Sequence, residues 1–241
     1  MKDLFGQAIY DYQTKNHPKN IITSTNISDD DQMNVSYLFR NFEQMPIIEQ
    51  TALDLSFGKV LDVGCGAGSH SLYLQNIKNL EKTAIDISTN AIKTCELRGL
   101  ENCFVKNIFD LDPHEFGTFN TILLLMNGTG ICGQLRNLNQ FLQQLKVLLT
   151  TDGQILIDSS DIIYMFDEDE VDKILSKKTT DYYGELTFNI SYKNQKEDPF
   201  YWLYLDFETL KNACVANDLN CEKIFEGKNH DYLARITHQK F

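Results

Sequence analysis

Between Lys59 and Asp158 the chain alternates short apolar runs with longer stretches of helical spacing. Lys59–Val63, Thr83–Ile87, Cys103–Lys106, Thr121–Met126 and Gly153–Asp158 read as strands that are apolar at most positions, the pattern of strands covered on both faces. Ser69–Lys78 carries Leu72, Leu74 and Ile77 at helical spacing. Ser88 is placed to cap a helix running to Arg98, which Gly99 ends. Gln134–Leu149 reads as a long amphipathic helix. This alternation predicts an α/β fold, doubly wound and mostly parallel with helices on both faces, and a closing strand pair brings the expected sheet to seven strands.

The flanks are less regular. Residues 1–57 read as an N-terminal helical extension or lid, with helices over 1–16 and 42–55 and Pro46 in an early turn of the second. Asn26–Asn34, with its Asp29-Asp30-Asp31 run, reads as a loop. Residues 58–241 form the main domain. Within it, 159–184 is a polar connection whose Asp167–Glu170 run reads as solvated acidic surface. Glu185–Tyr192 and Phe200–Leu205 predict an added antiparallel hairpin at about 185–205. Asp206 caps a helix to about Asn217, and Cys221–Phe225 with Tyr232–Thr237 form a final strand pair.

The 241 residues suit one large domain with an elaboration. A formal net charge of -12 argues against a nucleic-acid partner, whose binding rests on Lys and Arg displacing counterions. The start, Met1–Tyr10, lacks the apolar core of a signal peptide. The longest apolar run, Ile122–Met126, is far too short to span a membrane. A cytoplasmic protein with no membrane partner is expected. The six cysteines show no CxxC spacing, so they are expected to be reduced core residues with no metal role.

The sharpest motif is Val60-Leu-Asp-Val-Gly64-Cys-Gly66-Ala-Gly68, a strand that passes through a glycine-rich turn into a helix. Glycines belong where the backbone bends tightly and a ligand must lie on it. Asp86 follows at the end of the next strand, where a carboxylate can accept the ribose hydroxyls of an adenosyl group. Dinucleotide enzymes usually show G-x-G-x-x-G; here Ser69 stands at their third glycine position.

Val60–Gly68 resembles motif I of the class I S-adenosylmethionine-dependent methyltransferases, and Ala84–Ser88 resembles their second motif. Asn107-Ile-Phe-Asp-Leu resembles their adenine-binding segment, Asn120–Gly130 their fourth-strand motif, and the closing strand pair their C-terminal hairpin. The resemblance implies S-adenosyl-L-methionine as cofactor. Asp62, Gly64, Cys65, Gly66 and Gly68 would floor its methionine and ribose, Asp86 would take the ribose hydroxyls, and Ile87 would pack on the adenine. Asn107 would accept from the adenine amino group where the family often has Asp, and Ile108 would present its backbone N–H. Met126 and Asn127 would end the fourth strand near the sulfonium methyl; core packing is the other reading of Met126.

The acceptor is less legible. Met126-Asn-Gly-Thr-Gly130 follows the fourth strand in place of an Asn-Pro-Pro-Tyr motif or a Pro-Cys nucleophile, which disfavours nucleobase chemistry. Asp158 and Asp161 lack the third ligand of a metal site. Asn127, Asp158 and His70 are the candidate catalytic groups, although His70 also fits as a partly buried helix residue. Tyr10, Tyr37 and Arg40, with Asn127 and Asp158, are candidate substrate-binding residues; ordinary packing of the extension is the competing reading for the first three. The Phe200–Tyr204 cluster fits an acceptor wall, a homodimer surface or plain core. A small-molecule acceptor is the expectation. A protein or RNA methyltransferase and a non-catalytic S-adenosylmethionine-binding protein are the alternatives.

Overall fold

The computed structural model describes residues 2–176 and 181–239; part of the predicted polar connection, 177–180, lies outside them. Helix α1 (Leu4–Gln13) is followed by strands β1 (Ile21–Thr25) and β2 (Ser28–Met33), then α2 (Ile47–Leu55). The alternating core comprises β3 (Val60–Val63), α3 (Ser69–Asn76), β4 (Lys82–Asp86), α4 (Thr89–Leu97), β5 (Cys103–Val105), α5 (Pro113–Phe116), β6 (Phe119–Leu124), α6 (Leu138–Leu148) and β7 (Leu149–Ser160). Then come α7 (Glu168–Leu175), β8 (Glu185–Tyr192), β9 (Gln195–Lys196), β10 (Phe200–Leu203), α8 (Phe207–Ala216), β11 (Leu219–Glu226) and β12 (Asp231–His238).

The seven-stranded sheet has the order β11-β12-β7-β6-β3-β4-β5. Its strands run parallel except β12, which pairs antiparallel with both β7 and β11. Side chains alternate between its faces. Leu61, Val63, Ile122, Leu124, Ile155 and Ile157 pack with Phe141, Leu142 and Leu145 of α6. Val60, Leu123, Leu156 and Leu233 pack on the other side with Ile48, Ala52 and Leu53 of α2. In α6 the buried residues are Leu138, Phe141, Leu142, Leu145 and Leu148, the stripe of an amphipathic helix.

A second, antiparallel sheet has the order β10-β8-β1-β2, with β9 on β8. The predicted hairpin is therefore joined by the N-terminal extension: Ile22 pairs with Ser191 and Thr25 with Phe188. This corrects the reading of Asn26–Asn34 as a loop, since Ser28–Met33 is an edge strand. Its charged side chains conceal it in the sequence, and such charges discourage unwanted edge pairing. The connection 159–184 is likewise not irregular throughout. Asp167 accepts from the Glu170 N–H and Glu170 reaches back to the Asp167 N–H, a capping box that starts α7. The long amphipathic helix begins at Leu138, after a short 3-10 turn.

The two sheets meet at the turn after β6. An added Cβ on Gly130 would collide with the Trp202 indole of β10. The Leu203 carbonyl accepts from Thr129 Oγ1 at 2.9 Å, and Ser159 Oγ accepts from the Leu205 N–H at 2.9 Å. Gly130→Ala is expected to displace Trp202, costing about 1–3 kcal/mol as an overpacked contact. Because Trp202 is the only tryptophan, its fluorescence emission and a denaturant titration check both effects.

Candidate functional site

The strand order switches at β3, which has β4 on one side and β6 on the other. Such a switch leaves a crevice outside the carboxyl ends of the strands. The glycine turn lies there. Gly64, Gly66 and Gly68 have φ of 74°, 54° and 79°, the left-handed region that disfavours side chains. The Ile85 carbonyl accepts from the Gly64 and Cys65 N–H groups at 2.8 and 3.1 Å. A Cβ on Gly68 would meet Cys95 Sγ at 2.9 Å, whereas one on Gly66 would meet nothing within 4 Å. Gly66 thus borders open space on the crevice side, while Gly68 is packed against α4.

Asp86 closes the turn from β4. Its carboxylate accepts from the Gly66 N–H at 2.9 Å and from the Ser88 N–H at 2.8 Å. Burial raises its pKa above the ordinary carboxylate value. Asp62 is buried, accepts from Ser71 Oγ at 2.6 Å, and has its pKa raised by burial. Ile87 is 65% exposed, a large apolar side chain left facing solvent beside Asp86. Asn107 is exposed and accepts from the Phe109 N–H at 3.1 Å, so its carbonyl already caps the following turn. Ile108 is buried in the main core. Cys65 is buried with its sulfur 3.9 Å from that of Cys95.

At the end of β6, Met126 and Asn127 adopt φ of 65° and 64°. Two consecutive non-glycine residues in this region are strained, and a firm anchor must hold them. The anchor is Asp158 of β7, which accepts from the Met126 N–H at 3.1 Å and the Gly128 N–H at 2.8 Å. Burial pushes its pKa up to about 6. Asn127 is held as well: its Oδ1 accepts from Ser159 Oγ at 3.2 Å.

The extension contributes a buried charge cluster. Arg40 Nη2 donates to both Glu49 oxygens at 2.8 and 2.9 Å, and His70 Nε2 lies 2.7 Å from Glu49 Oε2. Burial opposes a charged His70, but the Glu49 hydrogen bond and the nearby Asp62 and Glu49 carboxylates outweigh it, so the His70 pKa is raised. Arg40 stacks on the Tyr37 ring at 3.5 Å and lies 3.7 Å from Met126 Sδ. Its Nη1 is buried with no hydrogen-bond partner among the described residues. Tyr37 and Arg40 line one hollow together with Tyr12 and Phe39; Tyr10 is half-buried on α1, outside that lining. Asp161 is taken by the Tyr183 hydroxyl at 2.7 Å.

Two of the sequence candidates, Arg40 and His70, are thus brought together through Glu49, which sequence reading missed, and Arg40 in turn reaches Met126. A signal was present. Met45, Ile48, Ala52 and Leu53 form the buried face of α2 and its lead-in, and Glu49 occupies a position in that apolar stripe. A carboxylate there needs a buried partner.

The fold and the crevice define a methyltransferase of the S-adenosylmethionine class. The model of a family described as "Methyltransferase domain" matches residues 55–223, and the chain belongs to that family. A solved S-adenosylmethionine-dependent methyltransferase from Bacteroides fragilis, in complex with S-adenosyl-L-homocysteine, is 43% identical with a TM-score of 0.88, covering 99% of this chain and 96% of that one. The CcbJ methyltransferase of Streptomyces caelestis superposes with a TM-score of 0.62 at 13% identity, over 81% of this chain and 91% of its own, a likeness of fold. A ubiquinone biosynthesis O-methyltransferase of Xanthomonas oryzae is 35% identical over 75 residues, which span 29% of this chain and 31% of that protein. The chain therefore matches about a third of the length of that curated relative.

The chain is an S-adenosylmethionine-dependent methyltransferase with a Rossmann-like fold. Among the described residues no helix is long and apolar enough to cross a membrane. A carbon-detected NMR titration is expected to show the Asp158 carboxyl with a midpoint of about 6, and the Met126 and Gly128 amide signals moving in step. A midpoint near 4, the ordinary aspartate value, would contradict this account of the turn.

Proposed function

We propose that the chain transfers a methyl group from S-adenosylmethionine to a small-molecule acceptor in the cytoplasm. The observation that supports a small acceptor best is the second sheet. It is bonded across the turn after β6 and the end of β7, where the resemblance puts the methyl group. Phe188, Trp202 and Tyr204 contribute ring contacts there, with Phe188 6.4 Å from each of the other two. Burial pushes the Tyr204 pKa up to about 12, so its phenol stays neutral near pH 7. A roofed, aromatic approach suits a compact acceptor better than a folded macromolecule, and the net charge of -12 disfavours a phosphate backbone.

The residues present fit the cofactor. The open space over Gly66 leaves room for the ligand backbone, and Asp86 retains lone pairs for ribose hydroxyls. Arg40, whose Nη2 lies 3.7 Å from Met126 Sδ, has an unpartnered N–H on Nη1 among the described residues, and its guanidinium suits the carboxylate of the methionine end. When bound, S-adenosylmethionine supplies a methyl group on a sulfonium, a centre already activated for displacement. The chain's share is then positioning, which can contribute about 7–11 kcal/mol. Asn127, Asp158 and His70 all have structural hydrogen bonds, so they fit holding roles better than that of a free base.

Asp86→Ala is expected to weaken S-adenosylhomocysteine binding by about 1.5–3 kcal/mol, the scale of charge-assisted bonds, as read by calorimetry. For the acceptor, a cell extract supplied with methyl-labelled S-adenosylmethionine and the enzyme should yield label in the small-molecule fraction. Label confined to protein or RNA would overturn the small-molecule reading. Binding without any transfer would favour a non-catalytic cofactor-binding protein.

A further inference from the structure

Helix α1 is fixed at both ends by carboxylates that have no place in the site described so far. At its C-terminal end the buried Asp11 accepts from Lys193 Nζ at 2.7 Å and from the Tyr192 hydroxyl at 3.1 Å, which ties it to the β8–β9 turn. At its N-terminal end Asp3 does two things at once. Its Oδ1 accepts from the Gly6 N–H at 3.1 Å, capping α1. Its Oδ2 accepts from Ser88 Oγ at 2.8 Å, Asn90 Nδ2 at 3.0 Å and the Asn90 N–H at 3.3 Å, all at the start of α4. One carboxylate therefore serves the exposed N–H ends of two helices, the place where negative charge is most favoured.

Ser88 connects this contact to the cofactor edge. Its N–H donates to Asp86, whose other oxygen takes the Gly66 N–H. A continuous chain of hydrogen bonds thus runs from the glycine turn through Asp86 and Ser88 to Asp3 and Gly6. The approach is close: a Cβ on Gly6 would collide with Ser88 Oγ. The same N-terminal segment is held by the hairpin of the second sheet, since Glu197 accepts from the Leu4 N–H at 3.2 Å. Helix α1 is a strut between the second sheet and the strand end that carries Asp86.

We infer that Asp3 is a positioning residue for the cofactor: it latches α1 onto Ser88 and Asn90 and so keeps the adenosine edge in its binding-competent form. The inference rests on the reading that Asp86 takes the ribose. The latch acts at the adenosine end, so its loss should weaken every ligand that carries adenosine. Ligand binding to a state that is populated only in part is weakened by that fraction. If the unlatched protein keeps the competent form about one-tenth of the time, affinity falls about tenfold.

The test is calorimetry with two probes, S-adenosylhomocysteine and 5′-deoxy-5′-methylthioadenosine, which lacks the amino-acid end. Asp3→Ala is expected to weaken both by a similar factor of about ten, while Asp3→Asn, whose one amide oxygen can accept for α4 but not also for Gly6, restores part of the affinity. Wild-type affinity of Asp3→Ala for both probes would overturn the latch. So would a loss confined to S-adenosylhomocysteine, or a loss that Asp3→Asn leaves unrepaired. Should Asp3→Ala fail to fold, Asn90→Ala removes a single bond from the same carboxylate and is expected to weaken both probes together by a smaller factor; unchanged binding again overturns the latch. Asp86→Ala separates the two readings. Unchanged affinity there removes the ribose assignment itself, whereas a weakened Asp86→Ala beside a wild-type Asp3→Ala removes the latch alone.

Discussion

Two backbone N–H groups converge on the Asp86 carboxylate, one from the glycine turn after β3 and one from the start of α4. Parallel strands leave their carboxyl ends side by side, with loops that diverge and backbone donors that need partners. Asp86 answers that constraint for two adjacent loops at once. It fixes Gly66 in its left-handed conformation and sets Ser88 as the α4 cap, and Ser88 in turn meets Asp3. The crevice is shaped largely by how this carboxylate distributes its lone pairs.

Asp158 performs a comparable task one loop away. It holds Met126 and Asn127 in a backbone conformation that would relax if released. Carboxylates at both places are costly to bury, and both have raised pKa values for that reason. The expense falls where backbone geometry matters most, at the ends of β4 and β7, and the surrounding apolar strands supply the stability that offsets it.

The sequence made the alternating core legible because β3, β6 and β7 each contain a short apolar run that is buried, Val60-Leu61, Ile122–Leu124 and Ile155–Ile157. The glycine turn and Asp86 were legible because a glycine-rich strand-to-helix turn followed by an acid at the end of the next strand is a motif in itself. Asp3 and Glu49 were not: Asp3 meets Ser88 85 residues away, and Glu49 meets His70 21 residues away. Strand β2 has five exposed residues and one partly buried one, so no hydrophobic pattern marks it; its strand character comes from pairing with β1. Helix α7 has no buried residue, and only its capping box betrays it. Local pattern reports burial and caps; it is blind to contacts made across the fold.

The composite second sheet bears on how the molecule comes into being. β1 pairs with β8, so one of its edges waits for a strand encoded more than 160 residues later. Closing so long a loop carries an entropic penalty before any contact rewards it. The seven-stranded core, whose central strands lie closer together in sequence, can assemble ahead of it. During synthesis the β1–β2 hairpin therefore leaves one edge of β1 unpaired, while the acidic side chains of β2 guard the hairpin's other edge against pairing with neighbouring chains. The second sheet is then a late product of folding, in place only once β8 and β10 have been made.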